Sequence, residues 1–270
     1  MIREMLSYPF MVRAAVVGIL VSLCAALLGS SLVLKRYSMI GDGLSHVGFA
    51  ALAVAYALGA APLLVAIPVC IVAAFLLLRL NESSKIQGDA ATAIMCSGAL
   101  AVGVMTVSLT TGMNTDVMNY MFGSILAMSG SDVRISIFLS AVVIVLYGLF
   151  YNRIFAVTFD ENFARATGTN SNLYNMMIAI LTAVTVVLGM RMMGTLLISS
   201  LIVFPSLSAM RVAKKFRTVI ILSAGISVFG FAAGLVMSYA YAVPTGASIV
   251  LVNIAVFVVL SLMQRVRERV

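Results

Sequence analysis

The chain has 270 residues, 63% of them hydrophobic and only 10% charged, with a mean hydropathy of +1.15. A soluble domain carries about 25% charged residues, so a water-exposed globular protein is excluded and the apolar material must face lipid. The net charge of +8 lies in short segments between apolar runs, which reads as membrane topology and against a nucleic-acid surface.

A membrane-crossing helix needs about 20 apolar residues. The N-terminal MIREMLSYPFMVR has no small-residue cleavage site ahead of a polar mature domain, and residues 1–11 are expected to be an interfacial segment on the outer side. Residues 14–34 carry no charge and predict the first span. The run from Val47 to Leu78 is 32 residues long, about 48 Å as one helix against a core of about 30 Å. Two spans must share it, divided at GAAP, 59–62. Residues 90–111, 134–151, 172–190 and 192–210 predict one span each. The last uncharged run, Thr218 to Gln264, has 47 residues and breaks at AVPTG, 242–246, into two. The expectation is an all-α, polytopic helical bundle of about nine spans in a single transmembrane domain covering 1–270.

Two segments between the spans have helical character. TDVMNYMFGSILAMSGSDVR, 115–134, is apolar enough to enter the bilayer and too short to cross it and turn, so an outer re-entrant or surface helix is predicted over 115–130. FDENFARATGTN, 159–170, predicts a short helix on the inner side. Asp160 and Glu161 suit its positive N-terminal end and Gly168 its stop. Phe163 and Ala164 lie near its middle, where the small alanine would admit another surface. Placing the C-terminus in the cytoplasm puts 13 lysines and arginines on the inside and 4 on the outside, the asymmetry expected of a nine-span chain.

The cysteines, Cys24, Cys70 and Cys96, fall within predicted spans without metal-ligand spacing and read as buried apolar thiols. The 18 methionines are scattered and read as gap fillers. MIGDGLSHVGF, 39–49, carries Asp42 and the only histidine, His46. Residues at i and i+4 share a helix face, so a carboxylate and an imidazole at this spacing can hold one divalent cation. The same spacing suits a plain ion pair at the cytoplasmic edge. Gly41 and Gly43 favour a functional pair, because a bent backbone would carry it deeper, where ionisable residues line pathways. Two ligands bind weakly; a symmetric dimer supplies two carboxylates and two imidazoles, suitable for zinc or manganese. GFAAG, 230–234, offers a small-xxx-small pattern for such an interface.

The ordered motifs GDGLSH, TDVMNYMFGSILA, FDENFARATG, GTLLISSLIVFP and PTGAS make the chain resemble the membrane permease subunits of ABC importers for zinc and manganese, over nearly its whole length. The resemblance implies a type II importer fold in a prokaryotic cell membrane. It also implies a homodimer, two cytoplasmic ATPase subunits that use ATP, an extracytoplasmic solute-binding protein, and no permanently bound cofactor. Asp42 and His46 match the metal route. Asp160, Glu161, Phe163, Ala164 and Gly168 match the element that couples to the ATPase. The chain departs from the family where HVGFAALAV lacks a proline-glycine step, and where Ser206 and Leu207 follow Pro205. MLSYPFMVRA and RVAKKFRTVIILS are more similar to zinc permeases than to manganese ones, so transported zinc is expected ahead of manganese or iron.

The chain has no GxxxxGK[ST] phosphate loop, HExxH or GxSxG, which argues against an enzyme and for a transport subunit. An ion-driven secondary transporter is the main rival, and the paired repeats common in that class are absent.

Overall fold

The computed structural model describes residues 7–83, 88–110 and 130–267. Within them eleven helices follow one another: α1 Pro9–Leu34, α2 Ile40–Ala57, α3 Pro62–Ser83, α4 Gly88–Leu109, α5 Gly130–Leu149, α6 Tyr151–Phe159, α7 Glu161–Ala166, α8 Ser171–Met193, α9 Thr195–Val212, α10 Phe216–Tyr241 and α11 Thr245–Arg267. All but α6 and α7 are long and apolar enough to cross a membrane, so the nine expected spans are present and the chain is a multi-pass membrane protein. The predicted helix over 115–130 falls largely, and the interfacial segment over 1–11 partly, outside the described residues.

Helix α1 is the axis of one half of the bundle, packed against α5, α8, α9 and α10, while α2 lies between α3 and α4 in the other half; α8 touches both. Lipid offers no hydrophobic drive between helices, so small residues and short polar side chains must join them. The Ser206 hydroxyl sits 3.4 Å from that of Ser30 and 3.2 Å from that of Ser223, which donates to the Ala26 carbonyl at 3.4 Å. Ser227 donates to the Ser22 carbonyl at 2.8 Å. This seam clasps α1, α9 and α10, each bond contributing about 0.6 kcal/mol, and the Ser206 that departs from the family pattern is at its centre.

Four details differ from the expectations. Helix α1 starts at Pro9 and takes in Arg13, which is exposed. A long basic side chain near a helix end can reach headgroup level along an apolar surface, so a break in the charge-free run is no break in the helix. Arg191 likewise ends no helix: its guanidinium meets Asp132 at 2.9 Å, both side chains being nearly buried, and the chain turns three residues later at Gly194, with φ 84° and ψ 166°, a backbone conformation open essentially to glycine alone. Helix α6 was not foreseen. It buries Ile154 and Val157 and packs Phe155, tilted, and Phe159, edge-on, against Phe216, flooring the bundle at one end. Finally, GFAAG meets its own chain: a Cβ at Gly234 would lie 2.5 Å from the Ile249 Cα, and one at Gly230 would lie 2.4 Å from Asn253 Oδ1. The small-xxx-small stripe seats α11 on α10 and is unavailable as a dimer seam.

Candidate metal site and coupling helix

The charged motif in α2 gains its geometry from two neighbours. Gly41 and Gly43 lie within a regular helix and neither has positive φ, so the expected bend is absent. Their role is close approach. A Cβ at Gly43 would stand 3.0 Å from Thr92 and 3.1 Å from Met95; without it, α2 settles onto α4 and Cys96 arrives beside Asp42.

The Asp42 carboxylate is then divided between two tasks. Oδ1 accepts from the Ser199 hydroxyl of α9 at 3.3 Å, while Oδ2 stands 3.9 Å from His46 Nε2 and 3.9 Å from Cys96 Sγ. One carboxylate oxygen, one imidazole nitrogen and one thiol sulfur lie within 4.8 Å of one another. Zinc–ligand bonds of 2.0–2.3 Å place tetrahedral ligands about 3.4–3.7 Å apart, so a shift of about an ångström would close the triad on an ion. Cys96 is therefore no inert apolar thiol, unlike the buried Cys24 and Cys70. Cys24 and Cys70 point to carbonyls of Ser140 and Leu44. Both charged side chains are accessible: His46 and Asp42 retain 21% and 36% exposure.

The cluster runs from the first turn of α2, which holds Asp42, into the body of α4. Cys96 is eight residues into α4, about 12 Å along its axis at 1.5 Å per residue. The Cys70 thiol, well inside α3, points to the Leu44 carbonyl at 3.6 Å. The neighbours Cys96 and Ser199 make the setting of Asp42 and His46 more than a two-residue ion pair.

At the lysine- and arginine-rich end, α7 forms as the sequence predicts. Asp160 caps it, accepting from the Phe163 amide at 2.9 Å, and Gly168 leaves it with φ 83°. Phe163 is 64% exposed. Ala164 has no exposed surface at all, so the expectation that its small side chain admits another surface is corrected: alanine is needed there because α7 turns that face onto its own chain. Glu161 also points inward. Its Oε2 accepts from Lys35 at 3.4 Å and from Asn175 Nδ2 at 3.2 Å, its Oε1 from Arg165 at 2.6 Å, and Lys35 also donates to Asn175 Oδ1. Burial raises the Glu161 pKa, but the Asn175 hydrogen bond and the charges of Lys35 and Arg165 outweigh it and hold the carboxyl below its ordinary range.

Three residues around these two sites escaped the sequence reading. Cys96 and Ser199 are 54 and 157 positions from Asp42, and Lys35 is 126 from Glu161; no local spacing connects them.

Known proteins resemble this chain over nearly its whole length. The chain is 29% identical over 258 residues to the manganese import system permease protein ScaB of Streptococcus gordonii, covering 96% of this chain and 92% of that one. It is 30% identical over 263 residues to the high-affinity zinc uptake system membrane protein ZnuB of Haemophilus influenzae, covering 96% and 99%. Its structure superposes on PsaBC from Streptococcus pneumoniae, solved in complex with Fab, with a TM-score of 0.86 at 28% identity, over 96% of this chain and 95% of that one. The profile of the ABC 3 transport family matches residues 7–264. The chain belongs to the ABC 3 transport family.

Proposed function

We propose that this chain is the membrane-spanning permease subunit of an ATP-driven importer that carries a divalent transition metal, zinc first, into the cytoplasm. The observation that carries the reading is the convergence of Asp42, His46 and Cys96 from two helices, with the second carboxylate oxygen anchored by Ser199. The relatives' functions, manganese import for ScaB and zinc uptake for ZnuB, support the cargo class. Thiolate and imidazole beside one carboxylate is zinc chemistry, whereas manganese prefers oxygen ligands. Manganese is the second reading because ScaB is named for it.

One triad per chain is half a site. Two copies related by a two-fold axis would bring six donors to a shared passage, and the partial exposure of His46 and Asp42 leaves them able to face a partner copy. Energy comes from two cytoplasmic ATPase subunits, for which α7 offers exposed Phe163 with Asp160 and Gly168 at its ends. Metal arrives from an extracytoplasmic solute-binding protein, and no nucleic acid takes part. This assignment makes the basic end, with the C-terminus, cytoplasmic.

The test is uptake of radiolabelled zinc and manganese by cells lacking this chain and carrying wild type, Asp42→Ala or His46→Ala. Both variants should assemble with the ATPase and lose accumulation of the cargo metal. Normal uptake in both would remove the route from these residues.

A further inference from the structure

The cluster around Glu161 reaches further than the shape of α7. Lys35 is the C-cap of α1 and the first residue of a five-residue turn, 35–39, that leads directly into α2. Its side chain is 8% exposed, and its ammonium is held by Glu161 of α7 and Asn175 of α8. The turn is stiff: the Tyr37 amide donates to the Leu32 carbonyl at 2.8 Å, the Ile40 amide to the Tyr37 carbonyl at 3.0 Å, and Arg36 is held at φ 62°. A left-handed arginine is retained only where its surroundings over-determine it. Two residues after Ile40 comes Asp42.

We infer that Glu161, Lys35 and Asn175 form a positioning joint that passes movement of α7 through the α1–α2 turn to Asp42 and His46. The inference rests on the reading that α7 meets the ATPase and that Asp42 and His46 meet the metal. Coupling over such distances travels through contiguous packed and hydrogen-bonded groups, and this joint is contiguous at every step. Glu161 lies on the moving helix, its carboxylate is bonded to the start of the turn, and the turn has few soft torsions in which to dissipate a displacement. Asn175 makes the joint three-way: its Nδ2 donates to Glu161 and its Oδ1 accepts from Lys35, so α8 keeps the two charges in register. Arg165 takes the other carboxylate oxygen and also reaches Asn172 Oδ1 at 2.9 Å, fixing the orientation of Glu161 from the solvent side.

The experiment uses the whole complex with its ATPase subunits in lipid vesicles and compares wild type with Lys35→Met, Glu161→Gln and Lys35→Arg. Metal moved per ATP hydrolysed is measured. So is amide hydrogen exchange of the peptide 35–42 with and without a non-hydrolysable ATP analogue. Lys35→Met and Glu161→Gln should retain the ATPase subunits and hydrolysis, move about tenfold less metal per ATP, and lose the nucleotide-dependent difference in exchange. Lys35→Arg, which retains the charge, should keep both. A side chain that only stabilises the fold would change exchange equally in both nucleotide states. The joint is overturned if wild type shows no nucleotide-dependent difference in 35–42, if the difference persists in both neutral variants, or if both variants shed the ATPase, which would confine the cluster to shaping α7. The metal assignment fails separately, through normal accumulation by Asp42→Ala, and that result leaves the exchange measurement intact.

Discussion

Cys96 turns the Asp42–His46 pair into a mixed oxygen, nitrogen and sulfur set, and its sulfur is the softest donor present. Replacing it with serine keeps a donor of similar size and removes the sulfur. Cys96→Ser is expected to shift competition between zinc and manganese towards manganese, read by uptake of each labelled metal against an excess of the other. Glu161 makes a prediction about pH. Its folded-state pKa lies below the ordinary carboxyl value of 4.5, so its contribution is complete above that value and is lost as pH falls through the lower folded value. Protease resistance of the α7 segment should therefore hold from neutral pH down through the ordinary glutamate range and fail only in stronger acid. Glu161→Gln should abolish this acid step.

Elements in this protein are joined at points where one residue type is obligatory. Gly194 holds the turn between α8 and α9 at φ 84° and ψ 166°, and Gly194→Ala is expected to cost about 1–3 kcal/mol, seen as a lower unfolding temperature of the detergent-solubilised permease. The Asp132–Arg191 pair ties α5 to the end of α8 with both side chains mostly out of solvent. Arg191→Leu takes the opposite charge from a mostly buried carboxylate and should destabilise by about 3–5 kcal/mol, whereas Arg191→Leu combined with Asp132→Asn should recover most of that loss in the same thermal assay. The sequence reading placed a helix boundary at Arg191 because charge interrupts an apolar run. A charge can remain inside a membrane helix when a partner of opposite sign comes from another helix, and that partner is 59 positions away.

Across the whole molecule, alternating helices gather the basic residues at one end, including Lys35, Arg79, Arg153, Lys214 and Arg265, and leave Arg13, Arg134 and Arg191 at the other. A cysteine at position 214, in the turn between α9 and α10, is expected to react with impermeant thiol reagent only from the cytoplasmic side of intact cells. Reaction from outside would invert the topology. The nine spans, their turns at 59–62 and 242–246, and the short helix after Asp160 were legible in the sequence, because apolar run length and glycine or proline breaks act over a few residues and bilayer thickness sets the scale. The Asp42–His46 pair was legible for the same local reason, one helical turn. The third candidate donor, Cys96, the serine that orients the carboxylate, the inward turn of Ala164 and the lysine that receives Glu161 were decided by tertiary packing alone. Those contacts depend on which faces of distant helices meet, and in lipid that is settled by small-residue fits and serine hydrogen bonds whose individual energies are too small, and whose sequence patterns are too common, to single out a partner beforehand.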